Sequence, residues 1–206
     1  DHDIARHIDG GSRMSNTHWW WVRHAPSAGT PGIIHGQDDV DADLSDQAAL
    51  AARRKSLPED AIWLTSGLPR AVQTAEALGG SNCRAVPGLM EQDFGEWNGK
   101  NWDDLRDDHA IAFWQNFATQ APPGGESFIH MMDRVSDTIA ELSLEYQGKN
   151  IIAVTHAGTI RTALAMALNL FAKSALAFQL DNLSLTEIEN IPDGDLREWC
   201  VHGINR

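Results

Sequence analysis

The chain alternates short, continuous runs of apolar and β-branched residues with longer stretches whose apolar positions recur at helical spacing. THWWWVR, residues 17–23, and IIAVT, residues 151–155, are unbroken rather than alternating, the pattern of strands covered on both faces. Residues 61–65 and, more weakly, 83–86 read as further strands. Helical spacing predicts a helix capped by Ser45 running to about Leu57 before Pro58, and a second over 68–78 stopped by Gly79-Gly80. It also predicts a helical pair within 102–117, a helix over 128–146 ended by Gly148, and a long helix over 159–170. The last third offers 175–180, 183–188 and 198–201 as strands. Strands alternating with helices predict an α/β three-layer sandwich, with a mostly parallel central sheet flanked by helices and antiparallel strands closing its C-terminal end. Ligands of such sheets bind beyond the carboxyl ends of the strands. Arg23-His24, Ser66 to Arg70 and His156 all fall there and are expected to converge.

The 206 residues suit one domain with a core large enough to need neither disulfide nor structural metal. Residues 1–13 are polar and aperiodic and read as a leader or tag, with residues 14–206 as the single catalytic domain; His2 and His7 are set aside with the leader. A net charge of −13, from 16 Lys+Arg against 29 Asp+Glu, is the wrong sign for a binder of nucleic-acid backbones. No run approaches the roughly 18 apolar residues that span a bilayer. Cys83 and Cys200 lack metal-ligand spacing, and with no apolar signal segment a cytoplasmic setting is expected. Asn182-Leu-Ser matches a glycosylation sequon but reads as a strand start. The Asp38, Asp39, Asp41, Asp43 run lacks the Gly and Glu of a calcium loop and reads as a solvated acidic loop. Trp19, Trp20 and Trp21 read as core.

The converging residues are two arginines and two histidines. Paired guanidinium forks match the oxygens of a phosphate monoester and keep their charge. Beside them the protonated form of His24 is disfavoured, leaving a neutral imidazole able to attack phosphorus. His156, with Gly158 at a helix start, can donate to the equatorial oxygens of the transition state. The leaving alkoxide needs a proton. Glu91 is placed to supply it, with Asp93 and Glu96 as alternatives.

Five ordered segments, VRHAPS (22–27), TSGLPRAVQTAEAL (65–78), MEQDFGEWNG (90–99), PPGGES (122–127) and VTHAGTIR (154–161), resemble the histidine phosphatase superfamily in its phosphoglycerate-mutase-like branch. The resemblance implies that His24 is the phosphorylated nucleophile, that Arg23, Arg70 and His156 complete the phosphate pocket, that Glu91 donates the proton, and that Ser66 lies near the rim. It implies no cofactor and no metal, and a small phosphate monoester as partner. Ala25 stands where the family has Gly, Pro26-Ser27 where it has Glu-Thr, and Thr30 where it has Asn, so Gln37 or a backbone amide is expected to supply that phosphate contact. MEQDFGEWNG and PPGGES are most similar to α-ribazole phosphatases of cobalamin assembly. The short stretch from Glu91 to Gly124 favours a phosphatase over a cofactor-dependent mutase, and a weakly active phospho-ligand binder is the third reading. Trp97, Trp102, His35 and Phe128 are candidates to contact the alcohol half of the substrate.

Overall fold

The computed structural model describes residues 15–192 and 198–206, so the leader lies outside the described residues. Six strands form one sheet: β1 (Thr17–Arg23), β2 (Ile62–Thr65), β3 (Arg84–Ala85), β4 (Asn150–Thr155), β5 (Leu185–Asn190) and β6 (Trp199–Gly203). Their order is β3-β2-β4-β1-β5-β6. The pairs β3·β2, β2·β4 and β4·β1 are parallel, and β1·β5 and β5·β6 are antiparallel. The two continuous apolar runs thus occupy the centre.

Side chains alternate across the sheet and sort the helices into two outer layers. Trp19, Trp21, Ile151 and Ala153 pack on one face against α4 (Phe128–Glu145), α5 (Ala157–Leu168) and the single turn α6 (Ala172–Ala175), through Met131, Val135, Ile139, Ile160, Leu164 and Ala175. Val22, Ile152 and Val154 pack on the other against α1 (Gln47–Lys55) and α2 (Pro69–Ala77), through Leu50 and Ala75. The Trp19 and Trp21 rings stack at 4.6 Å, and the Trp19 indole N–H donates to Ser143 Oγ at 3.0 Å, so a polar atom in this core is satisfied. A smaller cluster of Ile34, Phe94, Trp97, Ala110 and Phe113 lies under the loops, with Ala110 and Phe113 on α3 (Asp108–Gln115).

Local chemistry sets the element ends. Pro69 opens α2, where its missing N–H costs nothing, and Gly79 adopts φ +95° just beyond it. Asp46, not Ser45, caps α1, accepting from the Ala49 N–H at 2.9 Å; the Ser45 N–H is engaged by Asp43. Helix α5 begins earlier than the sequence suggests, directly after His156, and ends with Asn169 in the left-handed region. The expected strand over 175–180 does not form. Phe171 caps the Ala-rich turn α6 instead, and Leu176, Phe178 and Leu180 cover the core from irregular backbone.

Two loops are joined along a seam. The Glu96 N–H donates to the Pro123 carbonyl at 2.8 Å and the Glu126 N–H to the Asp93 carbonyl at 2.9 Å. The backbones approach so closely that a Cβ on Gly95 would collide with Pro123 and one on Gly125 with the Asp93 carbonyl.

Candidate active site

Strand β1 delivers Arg23 and His24 to the carboxyl end of the sheet. The His24 N–H donates to the Thr155 carbonyl (2.9 Å), the Asn182 amide donates to the His24 carbonyl (2.9 Å), and the Ala25 N–H donates to Thr74 Oγ1 (3.0 Å). Thr74 donates in turn to the Arg70 carbonyl (2.7 Å), which ties the loop after β1 to α2. Asn182 is therefore a buttress of His24 rather than a strand residue.

The His24 imidazole is buried, with Nδ1 2.5 Å from the Ala25 carbonyl and Nε2 3.4 Å from Arg70 Nε. A carbonyl can only accept and a guanidinium N–H can only donate. The neutral tautomer is thereby fixed: the proton is on Nδ1 and the lone pair on Nε2. Burial, and then the Arg70 charge, pull this group from 6.5 to about 3, against the bond to the Ala25 carbonyl, with Arg23 and His35 adding to the fall. Desolvation therefore does more than the neighbouring cations, the reverse of the emphasis drawn from sequence.

His156 lies behind His24, fully buried, with ring centroids 5.1 Å apart. Its Nε2 is 2.7 Å from Ser66 Oγ, which also accepts the Leu68 N–H at 3.3 Å; with the Ser66 hydroxyl as donor, His156 Nε2 is the acceptor. That assignment leaves the proton on His156 Nδ1, which has no hydrogen-bond partner among the described residues. Burial, then His24 and Arg70, hold His156 well below its ordinary value.

Arg70 is 2% exposed and is aimed by two carbonyls, Gly36 (2.6 Å) and Asp38 (3.0 Å). Arg23 donates to the Leu180 carbonyl (2.5 Å), and its buried Nε has no partner among the described residues. Arg161 is held by the Phe178 carbonyl (3.0 Å). Burial lowers all three arginines, and the Glu91 carboxylate opposes that fall in each.

Glu91 accepts from the Gln92 N–H on Oε1 (3.0 Å) and from the Gly158 N–H, at the start of α5, on Oε2 (3.2 Å). A Cβ at position 158 would strike that carboxylate and Met131, so a larger residue there would push Glu91 out of its place. Arg134 on α4 fixes the backbone below by donating to the carbonyls of Gly88, Met90 and Glu91 while pairing with Glu126.

A cavity of about 300 Å³ opens over these groups. Arg23, His24, Arg70, Glu91 and Arg161 line one end, and Ile33, Phe94, Trp102, Phe117 and Phe128 line the other, with His35 and Gln92 also reaching it. A profile of the histidine phosphatase superfamily (branch 1) matches residues 19–201. The chain belongs to that superfamily.

Among its relatives, a metal-independent phosphoserine phosphatase of Arabidopsis thaliana is 30% identical over 155 residues, 68% of this chain and 64% of that protein. An adenosylcobalamin/alpha-ribazole phosphatase of Salmonella typhimurium is 27% identical over 175 residues, covering 79% and 85% of the two chains. A mycobacterial glucosyl-3-phosphoglycerate phosphatase solved with VO3 superposes with a TM-score of 0.76 at 26% identity, over 91% of this chain and 98% of that one. The first curated relatives are longer proteins, and the chain spans about half to two thirds of their length.

Within this histidine phosphatase frame, the structure gathers Arg23, His24, Arg70 and Glu91 around one cavity, with His156 against His24. Of the three candidate carboxylates only Glu91 reaches the cavity. Asp93 is engaged by the Gly95 N–H (2.8 Å) and Asn98, and Glu96 is exposed. Four expectations change. Thr30 is exposed and does not line the cavity, because the loop after Pro26 turns away, its Ala28 N–H bonded to the Asp41 carbonyl. Gln37 spends its amide on the Glu91 carbonyl (2.9 Å) and stands outside the lining. Ser66 lies under the pocket, in contact with His156 rather than at the rim. Trp97 is core, edge-on to Phe113 at 5.0 Å, whereas Trp102, His35 and Phe128 do line the cavity.

Arg161 escaped the sequence reading although it stands in the quoted segment VTHAGTIR. The missed signal is its spacing. It follows Gly158 by three residues on α5, so it shares the helix face whose first turn holds Glu91.

Proposed function

We propose that this histidine phosphatase is a metal-independent phosphomonoesterase that works through a phosphohistidine on His24. The observation that carries this reading is the His24 tautomer: a desolvated Nε2 lone pair, presented among three arginines with a carboxyl group across the cavity.

In the first half-reaction Nε2 forms a bond to phosphorus as the ester P–O bond breaks, and the Glu91 carboxyl gives its proton to the departing alkoxide. Arg23, Arg70 and Arg161, with the free His156 N–H, donate to the oxygens where charge accumulates. In the second, the Glu91 carboxylate takes a proton from water, the water oxygen bonds to phosphorus, and the N–P bond breaks to release phosphate and restore neutral His24. The Gly158 N–H keeps the carboxylate in place through both steps.

The aromatic end of the cavity favours a small metabolite whose alcohol half carries a flat apolar group, stacked on Trp102, Phe117 and Phe128. The alpha-ribazole phosphatase relative supports α-ribazole 5′-phosphate as the candidate.

The test is phosphate release from an aryl phosphate, α-ribazole 5′-phosphate, phosphoserine and 3-phosphoglycerate, comparing the chain with His24→Ala and trapping the acid-labile, base-stable phosphoenzyme. His24-dependent turnover with a labelled His24 is expected, fastest on α-ribazole 5′-phosphate. Turnover without His24 would overturn the mechanism. Tight binding without turnover would make the protein a phospho-ligand binder, and rapid exchange of 3- with 2-phosphoglycerate would make it a mutase.

A further inference from the structure

At the opposite end of the sheet, three neighbouring strands each contribute one potential ligand to the same face. His18 on β1 is the Cα partner of Glu189 on β5, and His202 on β6 lies two residues beyond Cys200, the partner of Glu189 on its other side. His18 Nε2 is 3.2 Å from Glu189 Oε1, and His202 Nε2 is 2.9 Å from Glu189 Oε2. The three ligand atoms all lie within 4.8 Å of one another. The imidazoles are stacked, with centroids 6.4 Å apart and 23° between their planes.

We propose that His18, Glu189 and His202 bind a divalent transition cation of the zinc type. Imidazole nitrogen and carboxylate oxygen suit such an ion, and a tetrahedral centre about 2.0–2.1 Å from each donor spaces the donors about 3.3 Å apart. The two His–Glu separations already match that spacing, and with no pair of ligand atoms more than 4.8 Å apart the widest pair has to close by at most about 1.5 Å. The Asn16 amide donates to Glu189 Oε1 at 2.8 Å, the outer hydrogen bond that orients a ligating carboxylate. Both imidazoles are 44% exposed, so the fourth position is open to solvent and the ion has a direct entry path. Six residues of extended chain, roughly 20 Å, separate His18 from His24. The ion therefore takes no part in phosphate chemistry; it clamps the antiparallel strands β5 and β6 onto β1. Sequence spacing could not show this set, because its members are 171 and 13 positions apart and meet only through strand pairing.

The test uses the full chain carrying His2→Ala and His7→Ala, which silences the leader imidazoles. Zn²⁺ is titrated by calorimetry at pH 7.5, and Co²⁺ by its visible absorption. One equivalent is expected to bind with Kd at or below about 10 μM, and saturating Zn²⁺ to raise Tm by on the order of 5 °C. His18→Gln with His202→Gln keeps donors facing Glu189 but removes both imidazole ligands. Unchanged metal-free melting with at least about tenfold weaker Zn²⁺ binding supports the site. The proposal is overturned by no binding below about 1 mM Zn²⁺, or by undiminished binding in the double variant. Should the Gln pair not fold, Glu189→Gln gives the same readout.

Discussion

The two ends of the cavity are built differently. The arginine and histidine end hangs from strand termini and helix starts: His24 after β1, Arg70 in the first turn of α2, His156 after β4, Arg161 early on α5, with His24, Arg70 and Arg161 aimed by backbone carbonyls and His156 by the Ser66 hydroxyl. The aromatic end, with Phe94, Trp102 and Phe117, comes from the stretch between β3 and α4, where order depends on a small satellite core and short 3₁₀ turns. Rigid placement suits groups that must meet a transition state within a fraction of an ångström. Packing from loops suits the part of the pocket that selects the alcohol.

The sharpest way to break this contrast is at the nucleophile. His24→Ala is expected to cut kcat by at least about 10⁴-fold while leaving Tm within a few degrees; steady-state phosphate release and a thermal melt read both. Glu91→Gln, which keeps the side-chain shape and one acceptor oxygen for the Gln92 or Gly158 N–H but cannot carry a proton, is expected to lose about 10²–10³-fold. That loss is smallest for an aryl phosphate, whose leaving group needs no protonation, so the ratio between aryl and alkyl substrates measures the acid role. Arg70→Lys retains charge but not the fork between the Gly36 and Asp38 carbonyls, and about 10²-fold in kcat/KM is expected to go. At the other end Trp102→Ala is expected to raise KM about tenfold for the preferred metabolite, with little change in kcat and little change for a small aryl phosphate. An equal loss for all substrates would show that the two ends are not separable.

The smallest effect is on stability. Burial holds His24 near 3 and His156 well below its ordinary value, whereas in the unfolded chain both titrate near 6.5. The unfolded state therefore takes up protons that the folded state refuses, and the stabilisation present above pH 6.5 is lost as pH falls from there towards 3. Each such histidine adds at most about 1.4 kcal/mol per pH unit to that slope. Urea midpoints at pH 7.5 and 5.5, compared with His24→Asn, are expected to show a shallower loss in the variant, and the His24 ring protons are expected not to titrate by NMR between pH 8 and 4.5.

What the sequence made legible follows the same division. The runs WWWV and IIAV announce central strands because burial on both faces leaves no polar alternation, and the strand ends they imply group Arg23, His24, Arg70 and His156. Hydrogen bonds between distant segments were not legible. Gln37 was expected at the ligand and instead holds the Glu91 carbonyl, Ser66 supports His156, and Asn182 braces His24 across 158 positions. The strand expected over 175–180 failed for a local reason: Ala172 to Ala175 favour a helical turn, and the apolar residues after it reach the core without pairing.

The seam at Gly95 and Gly125 has a consequence for how such a pocket can change. The chain from 97 to 122 leaves and re-enters the fold at nearly one point, pinned there by the Glu96–Pro123 and Asp93–Glu126 backbone bonds. It is a cassette with a closed base, tied a second time where residues 99–102 hydrogen-bond to the Gly32–Ile34 loop, so the stretch beyond Trp102 is the part whose length and side chains can be exchanged while Glu91, secured on the near side by Arg134 and Gly158, stays where it is.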